Sequence, residues 1–331
     1  TILHQDEYED PREIKTLEIN RVKATKGVLS NVSNPPERLK QTVFGQFHRE
    51  GRGWSNAAFR RSYLGKGHGG QKRAFKVQFQ GEGVNDYGGP YRALFEGIVD
   101  EIQSDRFSVG KKPSERALLP LLVPCNNRAA AVGANQDKFV FNTATAMPLV
   151  QELALFLGKT VGTAARHNLT LGIDLSALQW RSLVRLPLSL AHLETVDYLT
   201  CASLTKVTQL GLEEEYRAKR TAMADSSQGG GDSEAAQRDP DMGAGADVDL
   251  GEAFRSTIPE EWADLRFSTY LPDGGKKELL PGGDTLPVTL GNWREYVSLM
   301  ELTRLKESAV MIKAFRNGLS AVLPAELLPL F

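Results

Sequence analysis

The chain has 331 residues, of which 41% are hydrophobic and 24% are charged, and its formal net charge is -1. This near-neutral balance gives no electrostatic basis for binding DNA, RNA or an anionic membrane surface, so nucleic acid and membrane are excluded as expected partners. The length is sufficient for one large or two medium hydrophobic cores.

The cysteine content and the N-terminus indicate where the protein acts. Cys125 and Cys201 are too few for a disulfide framework and favour a reduced, intracellular compartment. No apolar run approaches the roughly 18 residues that a membrane-spanning helix needs, and the acidic N-terminus is unlike a signal peptide. The chain begins at Thr1 rather than at methionine, which indicates a fragment. We therefore expect a cytoplasmic protein, with the nucleus as an alternative.

The first 70 residues carry weak signals. Residues 1–60 are assigned to an N-terminal extension, because their apolar residues are too loosely spaced to predict helix or strand. Residues 65–70 satisfy Gly-x-Gly-x-x-Gly, a pattern of dinucleotide-binding loops. A strand follows them where such a loop needs a helix N-terminus, so a loop without phosphate is the better interpretation. A nucleotide-dependent enzyme is kept only as a third hypothesis.

Residues 75–102 predict a strand, a glycine-rich turn and a helix. Phe75, Val77 and Phe79 alternate with polar residues, as in a strand with one buried face. The pair Gly88-Gly89 ends this pattern, and the proline that follows favours a helix start. An apolar stripe at helical spacing comes next, consisting of Tyr91, Leu94, Phe95, Ile98, Val99 and Ile102.

The middle of the chain predicts mainly helix. Residues 118–124 are predicted to be a buried segment and residues 138–142 a strand. Helices are predicted over 149–165 and over the second half of 180–210. Within the first of these, Gly158 and Gly162 are expected to allow close approach of another element in a soluble core.

The segment 224–252 has a different composition, with eight acidic residues, one basic residue and many glycines. It contains too little apolar surface to offset its ordering entropy, so we predict disorder. The segment is either a solvated insertion or a regulatory acidic tract.

The last 70 residues predict strands followed by helices. Residues 265–270 are predicted to be a strand that turns back toward 278–280. Asn292 and Glu295 have the spacing of a capping box at a helix start. A further helix is predicted from Ala309 to Leu319.

The amino-acid sequence of several segments resembles one protein family. Residues 81–92, Gly-Glu-Gly-Val-Asn-Asp-Tyr-Gly-Gly-Pro-Tyr-Arg, resemble the start of the HECT-type ubiquitin ligase domain. Seven later segments resemble the first lobe of that domain in the same order, namely 156–162, 193–197, 264–267, 281–289, 294–297, 313–318 and 323–328. Residues 81–86 and 119–127 look most like the large, HERC-like members.

The resemblance implies an α+β, mostly helical fold in two parts. A large helical subdomain is expected at 61–190, and a smaller subdomain that binds a conjugating enzyme at 191–290, interrupted by the acidic insertion. Late helices at 291–331 would complete this first lobe. In the family, a second lobe with the catalytic cysteine follows, whereas this chain ends at Phe331.

The function implied by the resemblance is that of a ubiquitin-protein ligase, an aminoacyltransferase. Its partners would be a ubiquitin-conjugating enzyme, ubiquitin and protein substrates, with ubiquitin passing by transthiolation to a cysteine of the missing lobe. The fragment alone is therefore expected to be inactive. The alternative is a non-catalytic scaffold or pseudo-ligase interaction domain.

The site residues implied by the resemblance line a groove for the conjugating enzyme. They are Thr200, Ser203, Leu204, Val207, Leu265 and Ile312. The family commonly has phenylalanine at the position of Ile312. Plain core packing is an equally good interpretation of Leu204, Val207 and Leu265, because apolar residues of helices mostly face the core.

No catalytic residue, cofactor or metal is expected within this chain. The two cysteines are interpreted as buried structural residues, as free cysteine often is. The five histidines show no metal-ligand spacing with each other or with the cysteines.

Overall fold

A computed structural model describes residues 14–64, 70–82, 89–104, 107–109, 112–116, 118–143, 148–228, 249–270 and 275–330. The chain forms two compact units. Unit 1 comprises Thr1–Asp197 and Glu307–Phe331, and unit 2 comprises Tyr198–Lys306. Unit 2 is thus inserted into the sequence of unit 1, and it begins and ends later than the smaller subdomain predicted at 191–290.

The fold is α+β and mostly helical. The helices of unit 1 are α1 (Lys26–Leu29), α2 (Pro35–Gln41), α3 (Val43–Gly51), α4 (Asn56–Arg60), α5 (Gly89–Ile102), α6 (Asn126–Ala129), α7 (Pro148–Arg166), α8 (Ala177–Leu183), α9 (Leu190–Glu194) and α13 (Ala309–Ser320). The helices of unit 2 are α10 (Tyr198–Gln228), α11 (Gly251–Arg255) and α12 (Trp293–Leu305). Short 3₁₀ helices lie at Glu260–Trp262 and Ala325–Leu330.

The strands are short and form two-stranded sheets. They are β1 (Thr16–Ile19), β2 (Lys76–Phe79), β3 (Phe107–Val109), β4 (Lys112–Arg116), β5 (Leu122–Pro124), β6 (Phe139–Phe141), β7 (Ser268–Tyr270) and β8 (Lys276–Glu278). In the described part of the chain, β1 pairs with β2 in parallel, while β3 with β4, β5 with β6, and β7 with β8 pair antiparallel.

The described residues of the N-terminal segment include strand β1. Leu17 and Ile19 of β1 lie opposite Val77 and Phe79 of β2, and all four side chains are buried. The described residues of this segment therefore belong to the core of unit 1. The parallel pairing that buries these side chains could not be predicted from a local pattern, because the partner strand begins only at Lys76.

Most of the predicted local elements are confirmed. The strand at 75–80 and the helix after it appear as β2 and α5, and the strand at 138–142 appears as β6. The helices predicted at 149–165 and 309–319 appear as α7 and α13. The glycine-rich stretches 65–69 and 83–88 lie outside the described residues.

Two local predictions are wrong in part. Residues 224–228 were expected to be disordered, yet α10 continues through them, while 229–248 lie outside the described residues. Asn292 does occupy the N-cap of α12, but its side chain makes no capping bond to that helix. Its Oδ1 instead accepts from Thr289 N at 2.8 Å, and its Nδ2 donates to Pro287 O at 3.1 Å. These bonds stabilise the turn before α12.

Aromatic side chains fill the centre of unit 1. Phe47 packs edge-on against Phe156, with ring centroids 4.9 Å apart, and against Phe75 at 5.2 Å. Phe44 and Phe59 contact Phe156 from α3 and α4 at 5.8 and 5.9 Å. Tilted and edge-to-face rings of this kind add to the free energy gained by burying their area. The cluster joins α3, α4, α7 and the start of β2 into one core.

The N-terminus of α3 is capped by a carboxylate from a distant helix. Glu101 of α5 accepts hydrogen bonds from Val43 N at 2.7 Å and Phe44 N at 2.8 Å. Burial raises the pKa of Glu101 to about 7, against the two backbone hydrogen bonds, which lower it. The two hydrogen bonds satisfy N–H groups at the start of α3 that have no acceptor within the helix itself.

Helices α7 and α13 cross with their backbones in contact. A Cβ atom at Gly158 would overlap the carbonyl oxygen of Phe315, and one at Gly318 would overlap the carbonyl oxygen of Leu155. At Gly162 a Cβ atom would lie 2.9 Å from Val322 Cβ. The close approach predicted from Gly158 and Gly162 is thereby confirmed, with α13 as the partner.

We predict that Gly158→Ala lowers the free energy of unfolding by about 2–3 kcal/mol or more, because the added methyl group forces two backbones apart. Gly97→Ala is the matched control. Gly97 also lies inside a helix, but its Cβ would be 3.8 Å from Val43, an ordinary contact. Alanine should therefore raise stability there by about 0.5–1 kcal/mol. Chemical denaturation of both variants checks this, and equal effects at the two sites would contradict it.

A buried histidine links three segments of unit 1. His167 Nε2 lies 3.0 Å from Arg61 O, and its Nδ1 lies 3.0 Å from Tyr91 Oη, which in turn accepts from Ala74 N at 3.2 Å. This arrangement fits a neutral ring with the proton on Nε2. Burial lowers the pKa of His167 to about 4.

We predict that His167 destabilises unit 1 in acid. Its pKa rises from about 4 in the folded chain to 6.5 on unfolding. The unfolded chain therefore binds the extra proton, and His167's contribution is complete above pH 6.5 and lost as pH falls toward 4. The wild type should lose about 2–3 kcal/mol more than His167→Gln between pH 7 and pH 4. Glu101 has the opposite pH dependence, but it is present in both the wild type and His167→Gln and therefore cancels in the comparison. Equal losses of stability by the two proteins between pH 7 and pH 4 would contradict the prediction.

Candidate functional site

The long helix α10 contributes one face to the core of unit 2. Its buried residues are Cys201, Leu204, Val207 and Gly211, which recur at intervals of three and four. Residues at this spacing lie on one side of a helix. The other sides of α10 are left to the outer surface of the unit.

Helix α12 is fixed against α10 by a small residue and a charged cluster. A Cβ atom at Gly211 would lie 2.5 Å from the ring of Trp293, so only glycine allows the indole to pack there. Trp293 Nε1 donates to Glu215 Oε1 at 3.1 Å, and the guanidinium of Arg294 pairs with the same carboxylate, with Nη2 2.7 Å from Oε2. Arg294 also lies over the Trp293 ring, 4.3 Å from its centroid.

The electrostatics of this cluster favour the ionised carboxylate. Hydrogen bonds from Arg294, opposed by partial burial, hold the pKa of Glu215 below its usual value. The ion pair is bidentate and includes a third, neutral donor, Trp293 Nε1, which gives it more geometric definition than an ordinary surface pair. We conclude that α10 and α12 form a rigid pair within unit 2.

Next to the buried stripe, α10 presents three residues that we call the α10 surface: Leu199, Thr200 and Ser203. Leu199 is 54% exposed and Ser203 is exposed, while Thr200 is half-buried. Leu199 and Ser203 are four residues apart and are therefore neighbours on the helix. An exposed leucine beside two hydroxyl groups can contact a partner through both apolar area and hydrogen bonds.

Leu265 lies on the segment that leads into β7. It is half-buried, and its backbone is fixed by hydrogen bonds from Leu265 N to Trp262 O at 2.8 Å and from Val288 N to Leu265 O at 3.2 Å. Its side chain is therefore held on an ordered backbone.

The six predicted groove residues are divided between the two units. Thr200, Ser203, Leu204, Val207 and Leu265 belong to unit 2, whereas Ile312 belongs to unit 1. Ile312 is 6% exposed and lies within the hydrophobic core, where it packs as part of α13. Leu204 and Val207 are 2% and 4% exposed, which favours the core interpretation for both. Only Thr200, Ser203 and Leu265 are reachable from outside.

Leu199 was missed by sequence reasoning, as was the cluster formed by Gly211, Glu215, Trp293 and Arg294. The signal for Leu199 is its position off the buried stripe, which predicts exposure for an apolar residue. The cluster had no usable signal, because nothing in the local pattern relates positions almost 80 residues apart.

Neither cysteine is accessible. Cys125 is fully buried, with its Sγ 3.3 Å from Asn135 O, and Cys201 is 4% exposed. Among the residues that the structure describes, no cluster of His, Cys, Asp or Glu could hold a metal ion. Within those same ranges, no helix is long and apolar enough to cross a membrane.

Comparison with known proteins gives consistent results. The family model described as HECT-domain (ubiquitin-transferase) matches residues 117–331, more than half of the chain. E3 ubiquitin-protein ligase HERC2 of Mus musculus is 26% identical over 259 residues, which cover 78% of this chain and 4% of that protein. The Homo sapiens HERC2 matches over the same length at the same identity. Probable E3 ubiquitin-protein ligase HECTD4 of Homo sapiens is 26% identical over 258 residues, covering 77% of this chain and 6% of that protein.

The chain thus spans a small part of the curated relatives that it matches. The matched region includes all of unit 2 and the helices α7 and α13 of unit 1. On this basis, together with its mostly helical α+β fold, the chain belongs to the HECT-domain (ubiquitin-transferase) family.

Proposed function

We propose that this chain is part of a ubiquitin-protein ligase, and that unit 2 recruits a ubiquitin-conjugating enzyme carrying ubiquitin. The family match over residues 117–331 carries this proposal. The proposal is also supported by the similarity of the chain to HERC2 and HECTD4, whose names describe E3 ubiquitin-protein ligases. Protein substrates would be further partners of the ligase.

The docking site that we propose is the α10 surface together with Leu265. Leu199 would supply the apolar centre of the contact, and Thr200 and Ser203 would supply polar groups beside it, in the arrangement of an apolar core with a polar rim. Leu204 and Val207 would support this surface from the core side. Ile312 is left out of the proposed surface because it is buried in the core of unit 1.

The reaction that we propose is transthiolation. A ligase thiolate attacks the thioester carbonyl of ubiquitin, the thiol of the conjugating enzyme leaves, and ubiquitin is then bound to the ligase cysteine. The attacking thiolate must be accessible. Because Cys125 and Cys201 are buried, we assign this role to a cysteine outside the present sequence.

We predict that Leu199→Asp weakens binding of a conjugating enzyme at least about tenfold, because it places a charge at the apolar centre of the contact. Leu212→Asp is the matched control, since Leu212 is 50% exposed on another side of the same helix. Binding is measured by calorimetry against a panel of conjugating enzymes, with circular dichroism to check folding.

Two outcomes would contradict the docking proposal. The first is that no member of the panel binds the wild-type chain. The second is that Leu199→Asp and Leu212→Asp weaken binding equally, which would indicate a general effect of negative charge on α10 rather than a defined contact.

A second prediction concerns the chemical step. Incubation of this chain with activating enzyme, conjugating enzyme, ubiquitin and ATP should produce no thiol-sensitive ubiquitin adduct on it, because both thiols are buried. Electrophoresis with and without reducing agent checks this. A reducible adduct that disappears in Cys125→Ser or Cys201→Ser would show that one of these cysteines is the nucleophile.

A further inference from the structure

Unit 1 contains a surface with an uneven distribution of charge. Residues 175–193 and 308–325 contain no aspartate or glutamate. They contain the basic residues Arg181, Arg185, Lys313 and Arg316. In a chain whose net charge is only -1, two acid-free segments of this length would be unremarkable if they were far apart, but these two pack together.

The first segment comprises α8, the turn after it and most of α9, and the second comprises α13 with its flanking residues. The side chain of Gln179 in α8 donates to Ser308 Oγ, just before α13, at 3.2 Å. Arg316 of α13 donates from Nη1 to the carbonyl oxygen of Leu183, the last residue of α8. Arg181 donates to Pro187 O at 2.9 Å from Nη2. Arg316 therefore binds a carbonyl that the end of α8 leaves without a helical partner, and Arg181 holds the turn that follows.

Arg185 has no such structural role. It has a φ of 61°, in the left-handed region, and it lies just after the end of α8. Leu186 N donates to Arg181 O at 2.9 Å, and Arg185 N donates to Ser182 O at 3.1 Å, the pattern of a Schellman motif. Glycine is the residue favoured at this position, because a side chain is strained there.

Arg185 also lies close to another positive charge. Burial, and then the charge of Arg185, lower the pKa of Arg316. Among the residues that the structure describes, no carboxylate pairs with Arg185, Arg316 or Lys313. A strained backbone and like charges held together both oppose folding, so the stability of unit 1 does not account for an arginine at this position.

We propose that Arg185, Lys313 and Arg316 form a docking surface for an acidic peptide segment of a partner protein. Lys313 is exposed one turn before Arg316 on α13, so the two side chains are neighbours. Leu186, beside Arg185, is 45% exposed and would contact an apolar side chain of the peptide. Carboxylates of the partner would neutralise the neighbouring positive charges of Arg185, Lys313 and Arg316.

An acidic peptide fits this surface better than other anions do. A free phosphate would use the cations but not Leu186. A nucleic acid needs a basic face of much greater extent than three side chains in a near-neutral protein. All of the residues concerned lie in unit 1, so failure of the docking proposal for unit 2 would leave this one unaffected.

The test is fluorescence anisotropy of the full 331-residue chain with a labelled peptide of glutamate, serine and one leucine. The same peptide with glutamine in place of glutamate is the neutral probe. Arg185→Gly removes the charge and fits the left-handed backbone, whereas Arg185→Lys keeps both the charge and the strain. Arg60→Gln, an exposed arginine at the end of α4, is the control for net charge.

We expect the acidic peptide to bind and the neutral probe not to bind, with affinity falling as salt is raised from about 50 to about 200 mM. Arg185→Gly should weaken binding about tenfold while leaving the melting temperature unchanged or higher. Arg185→Lys and Arg60→Gln should stay within about twofold of the wild type.

Four results would overturn the proposal. Equal binding of the acidic and neutral probes would show that charge is not recognised, and unchanged binding by Arg185→Gly would show that the surface is elsewhere. A lower melting temperature for Arg185→Gly would show that Arg185 stabilises the fold. Single-stranded DNA or inorganic phosphate displacing the peptide at similar concentration would indicate a general anion site instead.

Discussion

Helices α7 and α13 can touch only because side chains are absent at Gly158, Gly162 and Gly318. This contact has a topological consequence, since α7 precedes unit 2 in the sequence and α13 follows it. The chain therefore leaves unit 1, forms unit 2, and must return to a fixed position on α7. Helix α13 also supplies Phe315 and Ile312 to the core of unit 1. Loss of the crossing would disturb the core and the return of the chain together.

The two connections between the units are fixed on the side of unit 1. At the outgoing connection, the backbone N of Asn127 donates to Val196 O at 3.0 Å. At the returning one, Thr143 donates to Glu307 at 3.1 Å. Within unit 2, the cluster of Glu215, Trp293 and Arg294 plays a similar part, because it joins the two longest helices of that unit. The glycine contacts between α7 and α13 thus fix helices in unit 1, and the cluster of Glu215, Trp293 and Arg294 fixes α10 against α12 in unit 2. The α10 surface lies on one helix of that second pair.

The sequence predicted elements with strong local patterns and missed those that depend on distant residues. Helices α5 and α7 have long apolar stripes, so their positions were predictable to within a few residues. Strand β1 is stabilised by pairing with β2, a distant partner that a local pattern does not show. The cap predicted at Asn292 failed for a local reason, because its side chain bonds to Thr289 and Pro287 in the preceding turn instead of to α12. For the candidate site, resemblance identified α10 correctly as a helix, but burial separates the reachable Thr200 and Ser203 from Leu204, Val207 and Ile312. Spacing placed Leu204 and Val207 on one side of α10 but did not show whether that side faces the core or a partner, because burial depends on packing.

We propose that unit 2 recruits a conjugating enzyme through the first turns of α10. Hydrogen–deuterium exchange of the full chain, with and without a saturating conjugating enzyme, tests it most directly. We expect slower exchange of backbone amides near Leu199 to Ser203 and near Leu265 when the enzyme is bound, with little change in α7 and α13. Slower exchange confined to unit 1, with α10 unaffected by an enzyme that demonstrably binds, would contradict it.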